Sequence, residues 1–411
     1  MFELADAGTL GFDDERLARI APFLAKTYID SGRLPNAQLV IARDGQPVHY
    51  TKLGSMGDDK RELRDDALFR IASMTKPVTS IAFMQLVEQC EVALEEPVAR
   101  IFPEFADLKV YAGGGGAIPF APGKPASAMR FVDLLTHMSG LTYGLQNRNN
   151  IDAAYRENNF DFARDHLDSD AFIEKLSKLP LEFAPGTGWN YSVSTDVLGV
   201  AVERISGMRL GEYFAKHIFA PLGMADTGFG VAEGQSERLV DAYAYRPGQA
   251  PRIINAGATS KLNQGGTFDS GGGGLIGTIE DYHRFATMLL NGGELDGARI
   301  ISPKTLRLMR TNHLPGNADL TEMSSSLFSE ANNAGTGFGL GFAMVIDPAR
   351  TLMPSSLGEF YWGGAYSTAF FVDPVERITM VFMTQVYPSS TYPIRRQLKT
   401  LIYSALTETY A

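Results

Sequence analysis

Ser73 and Lys76 stand three residues apart in Ser73-Met74-Thr75-Lys76. On a helix, residues i and i+3 share a face, so the lysine amine can reach the serine hydroxyl. Such a pair can supply a nucleophile and its base without a histidine. The neighbouring residues predict the geometry this needs. Phe69-Arg70-Ile71-Ala72 reads as a short strand running into the serine. Pro77 has no N–H to donate and is tolerated only in a first helical turn, which puts Ser73 at or just before a helix N-terminus. Val78 to Glu88 continues with helical spacing (Ile81, Met84, Gln85, Glu88), so terminal amides and the helix dipole would point at a reacting carbonyl.

Two other segments carry usable groups. Trp189-Asn190-Tyr191-Ser192-Val193 follows the turn Ala184-Pro185-Gly186 and precedes a predicted helix, Asp196 to Ser206. Tyr191 on such a loop can pass protons to a leaving group, although a tyrosine that packs a turn is the commoner case. Tyr361-Trp362-Gly363-Gly364-Ala365-Tyr366 lies just before a predicted strand. Its glycines would let the backbone approach a ligand, and the following N–H can serve as an oxyanion donor. Taken alone, Gly-Gly before a strand is a turn or bulge.

The elements that must position these groups follow from the pattern. Asp13 to Ser31 reads as an amphipathic helix capped by Asp13 and kinked at Pro22. Ala37 to Ala42 and Val48 to Thr51 form a hairpin around Asp44-Gly45. Helical patterns then alternate with Gly/Pro-rich loops. Two strands, Ser367 to Val372 and Ile378 to Thr384, and a helix from Ile394 to Leu406 close the chain. Strands at both ends enclosing a helical middle predict an α/β domain of residues 1–72 and 271–411, with a mostly helical insertion over 73–270 and the site in the cleft between them.

The chain has 411 residues, 45% of them apolar and 20% charged, enough for a full core. Its formal charge of -10 argues against a nucleic-acid or anionic-membrane partner. Met1 to Asp6 lacks a basic n-region and an apolar h-region, and no apolar run approaches a membrane span, so a cytoplasmic protein is expected. Cys90 is the single cysteine and reads as a buried thiol. The six histidines show no metal-type spacing, and no metal or cofactor is expected.

The order of the three motifs resembles the penicillin-recognising serine hydrolases, specifically the class C β-lactamase-like group and its family VIII carboxylesterases. Leu134-Leu135-Thr136-His137-Met138-Ser139-Gly140-Leu141, Gly272-Gly273-Gly274-Leu275 before Asp281, and Gly337-Phe338-Gly339-Leu340-Gly341 also fit that group. The resemblance implies an antiparallel sheet flanked by helices, with a mostly helical second domain. It implies Ser73 as nucleophile, Lys76 and Tyr191 jointly as general acid and base, and an oxyanion hole at the N–H groups of Ser73 and Ala365. Trp362 stands where β-lactamases of this group carry a lysine, and Val193 where they usually carry asparagine. With Gly363 and Gly364, these residues would line the substrate site. The two departures favour a neutral, hydrophobic small-molecule ester over an anionic amide. β-Lactamase action, a D-amino-acid amidase and a non-catalytic ligand-sensing domain are the alternatives. A G-x-S-x-G elbow is absent, and His137 is expected to be structural. Loops 111–128, 144–170 and 313–337 are candidates for the pocket rim, and Asp281 for a helix cap or ion-pair partner.

Overall fold

A computed structural model describes residues 2–324 and 333–410. Asn36–Arg43 (β1) and Gln46–Gly54 (β2) form the expected hairpin, with Asp44 and Gly45 at φ 52° and 77°. Two successive positive φ values suit a tight turn between twisted strands. The remaining strands of the same sheet come from the far end of the chain. They are Thr336–Phe338 (β3), Ala343–Val345 (β4), Phe360–Gly363 (β5), Ala369–Asp373 (β6) and Ile378–Met383 (β7). The order is β2-β1-β7-β6-β5-β4-β3, antiparallel throughout.

Alternation along the strands gives the sheet two apolar faces. Phe360, Phe370, Val372, Val381 and Met383 enter the main core, which contains Thr75–Glu88 (α1), Ser194–Ser206 (α2) and Ile279–Leu290 (α3). Phe371, Met380 and Phe382 face the other way, onto Leu398 and Ile402 of Ile394–Ser404 (α4). Residues Thr75 to Leu86 of α1 are all buried, so this helix runs through the interior with no solvent face. The architecture is the predicted one, an antiparallel sheet flanked by helices beside a helical region. Among the described residues no helix is long and apolar enough to cross a membrane.

Several expectations need correction. The 13–31 helix is interrupted at Ala18-Arg19, because Pro22 has no N–H for the Ala18 carbonyl, giving Asp14–Leu17 and then Ile20–Leu24, which continues as a wider π-helical turn over Ala25–Ile29. Asp13 does cap the first piece, accepting the Arg16 N–H at 3.1 Å. Cys90 is exposed, because α1 ends before it and the chain turns there through φ 61°. Phe360–Gly363 is itself a strand, which puts Trp362 in the sheet instead of on a loop before it. The strand before the serine stops at Arg70.

Asp281 does not cap its own helix; Thr278 does, accepting the Asp281 N–H at 3.2 Å. The Asp281 carboxylate ties a separate loop to α3 by accepting the Asp226 N–H at 2.9 Å and the Thr227 hydroxyl at 2.7 Å. Burial lifts its pKa to about 6 despite these bonds. An unfolded aspartate titrates near ~3.9, so between that pH and about 6 the folded chain binds the proton more tightly, and stability falls as pH rises. Asp281→Asn keeps an acceptor and removes the titration. Thermal unfolding from pH 4 to 7 should therefore show a flatter profile for the variant. Parallel profiles would remove Asp281 from the pH response.

Candidate active site

The serine sits on a turn that other segments hold in place. Phe69–Arg70 leads into a single 3₁₀ turn, Ala72–Met74, and α1 starts at Thr75. Ala72 has φ 46°, a left-handed conformation unusual for alanine. The Ile71 N–H donates to Leu275 O at 3.1 Å, and the Ile71 carbonyl accepts the Thr368 hydroxyl at 3.3 Å. Tyr282 OH donates to Met74 O at 2.9 Å. Gln385 accepts the Arg70 N–H at 3.2 Å and donates to the Arg70 carbonyl at 3.0 Å. Gly364 packs against the same turn, where a Cβ would collide with the Ile71 carbonyl and the Thr368 hydroxyl. The glycine is thus required by the serine turn itself.

Lys76 and Tyr191 both reach Ser73. Tyr191 OH donates to Ser73 Oγ at 2.6 Å, and Lys76 Nζ donates to the same oxygen at 3.3 Å. Lys76 is 1% exposed, and its ammonium nitrogen lies 4.5 Å from the centroid of the Tyr191 ring. It also donates to Gly272 O at 2.6 Å and to Tyr143 OH at 3.1 Å. Tyr143 in turn donates to Asp196 Oδ2 at 3.4 Å. Asp196 accepts the Ser270 hydroxyl at 2.5 Å and the Gly272 N–H at 3.0 Å. Burial raises the Asp196 pKa, with the Lys76 charge acting in the opposite direction. A Cβ at Gly272 would strike the Asp196 carboxylate, so glycine lets these groups close around the lysine.

The Tyr191 loop is pinned at each residue. Trp189 N–H donates to Met323 O at 3.0 Å, Asn190 N–H to His137 O at 2.9 Å, and Gln146 Nε2 to Tyr191 O at 2.5 Å. His137 is buried, bonds Ser192 Oγ through Nδ1 at 3.1 Å and packs 5.0 Å from the Tyr191 ring. Burial, then the Lys76 charge, push its pKa well down, so it stands as a neutral packing group.

A cavity of about 670 Å³ opens over Ser73, Tyr191, Trp362, Gly363, Gly364 and Ala365. Trp362 forms an apolar wall, its ring 5.5 Å from Tyr191 and 5.4 Å from Phe338. Among the described residues, neither the Ser73 nor the Ala365 N–H donates to a protein acceptor. Both are available to a ligand oxygen.

Val193 does not belong to this wall. It precedes the first turn of α2, is fully buried in the main core and is not among the residues lining the cavity. Loop 144–170 does reach the cavity, through Leu145, Asp161, Arg164 and neighbours. Loop 313–337 contributes Leu320 and Asn333, with 325–332 outside the described residues, and loop 111–128 contributes nothing. Sequence reasoning missed Tyr143, Asp196 and the Gly272 carbonyl. Tyr143 stands two residues past Leu141, within reach of a motif already singled out, but its own neighbours carry no sign of a lysine. Among the described residues, no cluster of three His, Cys, Asp or Glu could hold a metal ion.

Comparison with known proteins bears on this geometry. The family described as Beta-lactamase matches residues 20–403. Protein Rv1367c of Mycobacterium tuberculosis is 35% identical over 364 residues, covering 87% of this chain and 88% of its own. Esterase EstB of Burkholderia gladioli is 32% identical over 391 residues, covering 90% and 91%. The structure of EstCE1, described as a hydrolase with promiscuous acyltransferase activity, superposes with a TM-score of 0.77 at 26% identity, covering 96% of this chain and 99% of that one. The chain belongs to the beta-lactamase family of serine hydrolases.

Proposed function

We propose that the chain is a carboxylesterase that hydrolyses short-chain, neutral, hydrophobic esters through an acyl-enzyme on Ser73. One observation carries the substrate class. The wall beside the serine–tyrosine pair is the Trp362 indole, packed edge-on against Phe338 and tilted against Tyr191, where a cation would be needed to hold a substrate carboxylate. The similarity to Esterase EstB over nine-tenths of both chains supports the same reading.

In this mechanism Tyr191 enters as the phenolate, its proton having left to solvent; Ser73 Oγ attacks the ester carbonyl carbon and passes its own proton to the Tyr191 oxygen, 2.6 Å away. The ammonium of Lys76 has three donors and meets three acceptors: Gly272 O, Tyr143 OH and Ser73 Oγ. That match favours a lysine that stays charged, lying over the Tyr191 ring and stabilising negative charge on its oxygen. The tetrahedral oxyanion accepts from the Ser73 and Ala365 N–H groups, each such donor being worth about 3 kcal/mol. Collapse breaks the ester C–O bond, and the leaving alkoxide takes the proton from Tyr191. Water then repeats the sequence on the acyl-enzyme and releases the acid.

Ser73→Ala should abolish turnover of a nitrophenyl ester and labelling by a fluorophosphonate; mass spectrometry that finds the label on a different serine would reassign the nucleophile. Lys76→Ala and Tyr191→Phe should each lower kcat by about a hundredfold or more while unfolding temperature stays close to the parent. A variant with ordinary rates would drop out of the mechanism. Assayed in parallel, a short-chain nitrophenyl ester should have a higher kcat/KM than a chromogenic cephalosporin or a D-amino-acid amide, and Trp362→Lys should narrow that margin. Faster turnover of the amide would overturn the substrate class.

A further inference from the structure

The tip joining β5 to β6 has one peptide that is held by a side chain of α4. Arg395, on the first turn of α4, donates from Nη2 to Gly364 O and to Thr368 O, both at 2.9 Å. Within the tip, Gly364 N–H donates to Thr368 O at 2.9 Å and Ser367 N–H to Gly364 O at 3.0 Å. Ser367 has φ 69°, so the tip is not a relaxed turn. The guanidinium fills the space where a Cβ on Gly363 would lie. It therefore spans the base of the tip and fixes both of its carbonyls.

Gly364 O and the Ala365 N–H belong to one peptide unit. In a trans peptide the C=O and N–H point in opposite directions. Arg395 takes the carbonyl, so the N–H points away from the guanidinium, and among the described residues that N–H donates to no protein acceptor; Arg395 and Ala365 both line the cavity. A charge-assisted bond to the carbonyl also polarises the peptide and strengthens its N–H as a donor. We propose that Arg395 is a positioning residue that aims and polarises the Ala365 N–H through the Gly364–Ala365 peptide, and so tunes stabilisation of the oxyanion from the α4 side of the tip. The proposal rests on Ala365 N–H acting as an oxyanion donor.

The test uses the full chain, a short-chain nitrophenyl ester and an alkylboronic acid, whose adduct with a serine is tetrahedral and anionic. Arg395→Ala should lower kcat about tenfold or more with KM changed less than about twofold, because the lost interaction belongs to the transition state. Boronate affinity should fall in proportion to kcat/KM. Millimolar guanidinium should restore part of the rate in this variant and none in the parent. Arg395→Lys, which keeps the charge but not the planar fork, should fall between the two and decides the matter if the alanine variant does not fold. Unchanged kcat, a rise in KM alone, or a kcat loss without a matching boronate loss would overturn the role of Arg395. If Ser73→Ala retains turnover, the underlying reading of the site fails. If Ser73→Ala is inactive while Arg395→Ala and Arg395→Lys match the parent, only the positioning role fails.

Discussion

The left-handed turn at Ala72 is the constraint on which the site depends. Such a conformation at a non-glycine residue costs about 1–3 kcal/mol and persists only where its surroundings over-determine it. Here they do, with bonds arriving from Leu275, Tyr282, Thr368 and Gln385. Two of these partners, Leu275 and Thr368, come from segments that also deliver groups of the site. The stretch ending at Leu275 brings the Gly272 carbonyl to Lys76, and the tip before Thr368 brings Ala365 to the cavity. The strained turn, the Gly272 carbonyl and the Ala365 tip are therefore held together, while the Tyr191 loop is pinned separately.

The electrostatics follow from enclosing a lysine among mostly neutral acceptors. A buried ammonium without partners is very costly, and a buried carboxylate in direct contact would hold it in a tight pair. Lys76 has neither arrangement. Its bonds go to a carbonyl and two hydroxyls, with the Asp196 carboxylate one step removed behind Tyr143. The positive charge is compensated yet still directed at Ser73 and Tyr191. His137 supports the same balance from the other side as a buried, neutral ring against the tyrosine.

What could be read from the sequence was what local rules encode. The three-residue spacing and Pro77 located Ser73 at a helix start, and Asp44-Gly45 marked the hairpin. The two strands expected at Ser367 to Val372 and Ile378 to Thr384 fall on β6 and β7. Tyr191 and Ala365 became legible through the order of motifs and their family likeness, not through anything in their own neighbourhoods. Groups whose role arises only from tertiary contact stayed hidden. Tyr143 and Asp196 meet Lys76 from distant segments, and Arg395 acts on a carbonyl 31 residues earlier. Val193 misled for the same reason. Its position in the motif suggested the cleft, but the turn into α2 rotates its side chain into the core.

The strand order has a consequence for how the chain must be made. β1 is bonded to β2 on one side and to β7 on the other, and Thr384 donates to the Asn36 carbonyl across 348 residues. A ribosome therefore delivers Leu39-Val40-Ile41-Ala42 with one edge open, and its partner is synthesised almost last. An unpaired apolar edge of this kind is a template for pairing with other chains, and long-range closure is slow. The centre of the sheet, not its rim, is what the late-made strand completes. Loss of the final segments would split the sheet through its middle and leave the Ser73 turn without Gln385.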